Sequence, residues 1–86
     1  MEYIIASFRS RSQVYSFADT MKKSGLYYEI VTTPKEVSLG CGLAVKMNKN
    51  NISDARSIIN NYYYENFSGF YVVTEKGLRR EVKSIY

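Results

Sequence analysis

Pro34-Lys35-Glu36-Val37-Ser38-Leu39-Gly40-Cys41-Gly42-Leu43-Ala44 holds the only proline and the only cysteine of an 86-residue chain. Proline cannot donate to a β ladder, so Pro34 stops a preceding strand. Gly-Cys-Gly leaves the backbone free for a tight connection. The stretch therefore reads as a central loop, and it divides the chain into two halves of the same kind. Each half reads as strand, helix, strand.

Upstream, Tyr3 to Phe8 is a short apolar run that breaks into polar residues, as a strand does. Ser10-Arg11-Ser12-Gln13 has the capping-box pattern, with Ser10 as N-cap and Gln13 reaching back. Val14, Phe17, Ala18 and Met21 recur at i, i+3, i+4, i+7 and share one helical face. Lys22 and Lys23 suit the negative end of the helix dipole, and Gly25 suits a left-handed cap. The first helix is expected at 11–24. Leu26 to Thr33, rich in aromatic and β-branched residues, is the second strand.

Downstream, Leu43, Val45 and Met47 alternate with Ala44 and Lys46, so Gly42 to Met47 reads as a third strand with one buried face. Asn48-Lys49-Asn50-Asn51 is turn-forming. A second helix is expected from Ile52 to Asn66, capped by Asn51 or Ser53. Ile52, Ala55, Ile59 and Tyr62 share its face, with Ile58 beside them. Ser68-Gly69 would end it, and Phe70 to Thr74 would be the fourth strand. Gly77 marks a turn. Residues 78–86 then form an extra strand or a short helix, the strand being favoured by valine, isoleucine and tyrosine.

The order predicts a single α+β domain over 1–86, of the ferredoxin-like βαββαβ kind. It would have a four-stranded antiparallel sheet, two helices on one face, and a C-terminal strand as a possible addition. So short a chain buries only roughly 60–65% of its unfolded surface. The open face of the sheet would gain from covering, and a homodimer would supply that.

Composition excludes several chemistries. There is no histidine, which removes a histidine-based triad and the common zinc sites; no metal or cofactor is expected. Walker A and dinucleotide glycine patterns are absent, and Glu29, Glu36 and Glu65 are too scattered for an acid–base pair. No apolar run approaches the ~20 residues of a membrane span. The opening Met1 to Ile5 has no basic leader, which argues against secretion. One cysteine cannot form an internal disulfide, and the expected compartment is a reducing cytoplasm. The net charge of +4 arises from 12 basic and 8 acidic residues. Its densest cluster, Lys76, Arg79, Arg80 and Lys83, is interrupted by Glu75 and Glu81. It reads as a solvated tail before it reads as a phosphate-binding one.

Cys41 is the one candidate for covalent chemistry. A thiol attacks as the thiolate. Gly40 and Gly42 leave its sulfur unshielded, and Lys35 and Lys46 are near enough in sequence to supply positive charge. Without a second cysteine the chain cannot complete a dithiol cycle. It can hold a group on one sulfur and hand it on. The competing reading is an inert, packed cysteine acting as a small hydrophobe.

The same segment resembles the central motif of a small bacterial and archaeal family of selenium/sulfur carrier-like proteins. That motif is a proline and a basic residue, then a serine, then Cys-Gly, an aliphatic residue and a small one. Tyr3-Ile4-Ile5, the helix ending at Gly25, and Gly69-Phe70-Tyr71 also sit where the family has them. The resemblance implies that Cys41 bears the sulfur or selenium. It implies that Pro34, Ser38 and Gly42 shape the loop and that Lys35 is the basic residue. Gly40 joins them on conformational grounds. Donor and acceptor proteins of sulfur or selenium transfer would be the partners, and the chain would be a carrier rather than an enzyme with its own turnover.

Nine tyrosines are many for this length. Tyr62-Tyr63-Tyr64, if helical, are turned by ~100° at each step and cannot all face the core. This supports the alternative function, a small protein-binding or self-assembly module with a tyrosine-rich interface and a structural Cys41. RNA binding by the basic tail is the weakest of the three readings.

Overall fold

The computed structural model describes residues 1–37 and 40–85. The chain runs β1 (Glu2–Phe8), α1 (Arg11–Lys23), β2 (Glu29–Thr32), β3 (Leu43–Met47), α2 (Ile52–Asn61), β4 (Phe67–Lys76) and β5 (Arg79–Ser84). One 3₁₀ turn, Lys49–Asn51, leads into α2. All five strands join in one antiparallel sheet, in the order β2-β3-β1-β4-β5. The architecture is α+β and roughly ferredoxin-like. The expected four-stranded sheet is corrected to five, because residues 79–84 fold back on β4 around Gly77, whose φ of 60° suits a tight hairpin.

Both helices pack on one face. Val14, Phe17, Ala18 and Met21 of α1 and Ala55 and Ile58 of α2 meet Ile4, Ala6, Phe8, Val45, Met47 and Phe70 of the sheet. The period-3.6 reading of α1 is therefore correct residue for residue. β1 is buried along both faces, as a central strand between β3 and β4 must be. Its alternate residues belong to two clusters, and Ile5 sits with Val37, Ala44 and Val73 on the face away from the helices.

Four local expectations are corrected. Gln13 does not close a capping box. Its Oε1 accepts from the Asn66 N–H (3.0 Å), tying α1 to the start of β4, and the Ser10 hydroxyl meets the Ser12 hydroxyl (2.9 Å) rather than a backbone N–H of the helix. β2 is shorter than expected, because Leu26 to Tyr28 lie outside the ladder. α2 ends at Asn61, and Tyr62 is extended (φ −121°, ψ 150°), so the three tyrosines lie on a connection and not on a helix. Ser68-Gly69, expected to end α2, belong to β4 instead. Tyr64 turns inward against Phe8 and Phe17, with ring centroids 5.7 Å from each, while Tyr62 and Tyr63 stay exposed. The ring contacts of the half-buried Tyr64 favour this connection over a further turn of helix.

Candidate functional site

The loop between β2 and β3 crosses the face of the sheet opposite the helices. The Thr33 N–H donates to the Gly42 carbonyl (2.9 Å), which extends the β2–β3 ladder by one step and closes the base of the loop. Pro34 is buried and starts a turn, its carbonyl accepting from the Val37 N–H (3.0 Å). Val37 then drops onto Ile5, Ala44 and Val73. Glu36 reaches the far edge of the sheet and pairs with Arg80 of β5 at 3.0 Å. Sequence reading missed this bridge, since 44 residues separate its partners and no local pattern links them.

Gly40 and Gly42 serve different ends. Gly42 has φ +98°, which side chains other than hydrogen rarely tolerate. Gly40 sits in tight space: a Cβ there would stand 3.1 Å from Thr33 Cγ2 and 3.3 Å from both Ser7 Oγ and Thr33 Oγ1. Among the described residues those two buried hydroxyls have no hydrogen-bond partner, and neither was singled out from the sequence.

Between these glycines, the Cys41 N–H donates to the Phe8 carbonyl (3.0 Å). This fixes Cys41 beside the end of β1, two residues before Ser10, the N-cap of α1. The first turn of α1 has no acidic residue to offset its partial positive charge, and Arg9 and Arg11 on either side of the cap are exposed. The sulfur is half-buried. It packs against the rim of the helix-side core and donates to the Leu43 carbonyl at 3.6 Å.

The lysines are placed differently from one another. Lys35 is exposed at the turn after Pro34. Lys46 pairs opposite Ile5 on the face away from the helices, and its ammonium lies 4.4 Å above the Tyr3 ring. Cys41 packs on the helix side, so the two residues lie toward opposite faces of the sheet. Ser38 lies outside the described residues.

Fold and loop together define a small α+β domain that carries one free, half-buried thiol on the loop beside the end of β1. The chain matches the family described as "Putative Se/S carrier protein-like" over residues 2–71, most of its length, and it belongs to that family. The match takes in the whole cysteine loop and ends inside β4, so β5 lies beyond it. No curated protein and no solved structure matches the chain. Among the described residues, no helix is long and apolar enough to cross a membrane.

Proposed function

We propose that this protein is a single-thiol carrier in which Cys41 accepts sulfur or selenium from a donor protein and passes it to an acceptor. The observation that carries this reading is the placement of Cys41. A half-exposed thiol is held beside the end of β1 by the bond from the Cys41 N–H to the Phe8 carbonyl, between Gly40 in tight space and Gly42 at φ +98°. Family membership gives the class of cargo.

In the sulfur case the Cys41 thiolate attacks the terminal sulfur of a donor persulfide. The Sγ–S bond forms, the donor's S–S bond breaks, and the donor cysteine leaves as a thiolate. In the second step an acceptor thiolate takes the terminal sulfur and Cys41 returns as thiolate, so no net electrons are exchanged. The thiolate is the attacking form in both steps. Loading replaces the proton on Sγ, so the bond to Leu43 is surrendered and the outer sulfur is free to turn toward solvent. Lys35, exposed on the same loop, takes the place of the basic residue by family likeness, and Pro34, Gly40 and Gly42 hold the loop's shape, with Ser38 assigned there by the same likeness. The protein would act in the cytoplasm.

The decisive experiment is transfer of labelled sulfur from a persulfide donor to the wild-type protein and to Cys41→Ser. The reading expects a mass gain of one sulfur on the wild type alone, with unchanged far-UV circular dichroism in both. Loading of the serine variant would overturn it. So would a Cys41 that alkylates only once the protein unfolds.

The module reading keeps one supporting observation, the exposure of Tyr62 and Tyr63 at 56% and 86%. If Cys41→Ser leaves partner capture intact while Tyr63→Ala abolishes it, that reading replaces the carrier.

A further inference from the structure

β5 is the last strand of the sheet, so its outer side has no strand beside it. Backbone direction along it follows from the hairpin. The Ile85 N–H donates to the Phe70 carbonyl (3.0 Å), and Lys83, Glu81 and Arg79 alternate inward with it toward β4. Arg80, Val82 and Ser84 therefore point their N–H and C=O groups away from the sheet. The other edge, β2, is only four residues long.

We propose that β5 pairs antiparallel with β5 of a second copy of this chain, centred on Val82, so that the two sheets become continuous. In such a two-fold pairing, residues opposite one another share a face, so the centre falls on a residue and each choice can be tested by charge. A centre at Glu81 sets two carboxylates together and brings Arg79 against Lys83. Centring on Arg80 or Lys83 sets like cations together. At Val82 every term is favourable. Val82 meets its own copy, Glu81 stands opposite Lys83 twice, and Arg80 stands opposite Ser84. The Glu81–Lys83 positions are the non-hydrogen-bonded pairs, where side chains approach most closely. Val82 already leans on the cluster of Ile5, Val37, Ala44 and Val73, so the pairing joins the two apolar patches on the faces away from the helices. Charged edge strands usually repel strand addition; here the alternating signs favour the Val82 register over centres at Arg80, Glu81 and Lys83.

The test is sedimentation equilibrium of the full chain under reducing conditions, which removes any Cys41 cross-link. The wild type is expected to dimerise with concentration. Glu81→Lys and Lys83→Glu each convert two attractive pairs into repulsive ones and should weaken self-association by about tenfold or more. Mixed in equal amounts, the two single variants should associate with each other as well as the wild type does, since each then offers the charge the other lacks. The double variant should recover dimerisation. A wild type that stays monomeric to roughly millimolar concentration overturns the proposal. So does a dimer indifferent to either reversal, or one that the mixture does not restore. Amide exchange on the wild type gives a check independent of any variant. The Val82 and Ser84 amides should gain protection with concentration, while those of Glu81 and Lys83 are already protected by β4. Protection of Val82 that does not change with concentration excludes the interface.

Discussion

Gly40 and Gly42 flank the same cysteine, yet substituting them should fail for separable reasons. At Gly40 an alanine meets Thr33 and Ser7 at 3.1–3.3 Å, so overpacking is expected to cost about 1–3 kcal/mol. Trimming the nearest atom with Thr33→Ser should return part of that. At Gly42 nothing lies within 4 Å of the added carbon, and the cost of about 1–2 kcal/mol comes from φ +98° alone. Thr33→Ser should not rescue Gly42→Ala. Urea unfolding of the four variants measures both effects, and equal rescue at the two sites would refute the distinction. The sequence reading gave both glycines one role because Gly-x-Gly advertises freedom without saying whether angle or space uses it. Only the approach of the β1 residue Ser7 and of Thr33 separates them.

At the scale of the element, the connection after α2 and the loop before β3 were read with unequal success. The loop's ends were legible, since proline and paired glycines are local signals. Its course was not: Val37 and Glu36 are placed by Val73 and Arg80, which lie far along the chain. The tyrosine run misled for a similar reason. Tyr64 has a helix-compatible neighbourhood in sequence, but Phe8, Phe17 and a hydroxyl contact with Thr20 (3.3 Å) pull it out of helical register. Tyr64→Ala is therefore expected to destabilise by about 2–4 kcal/mol, and Tyr63→Ala to stay within about 0.5 kcal/mol. Thermal melts of the pair decide it. Equal losses would mean that the run packs as a unit.

For the whole molecule, pH reaches stability from both ends of the scale. Glu36 is held below its ordinary 4.5 by its own backbone N–H and then by Arg80; Glu2 is held down by Lys49 and then by Thr74. A carboxyl lowered by folding contributes stability that is present above 4.5 and is lost as pH falls through its folded value. Tyr3 is raised above 10.0, first by burial and then by Glu75, and Tyr27 is raised by its bond to Glu29. Those contributions are present below 10.0 and are lost as pH rises through the raised values. Urea midpoints should thus be level between these limits and fall outside them, with a shallower acid limb in Glu36→Gln. An unchanged acid limb would mean that the strap across the sheet carries no weight. The chain has no histidine to add a step near neutrality. By itself the sequence determined the α+β class, the helix α1 with its buried face, the strand order in the chain and the thiol at Cys41, because each depends on period, propensity or a residue type within a short window. Only the tertiary structure decided that β5 joins the sheet, that Lys46 and Cys41 face apart, and that the cysteine loop is strapped to Arg80. These depend on pairing and burial between distant residues, and no short window contains both partners.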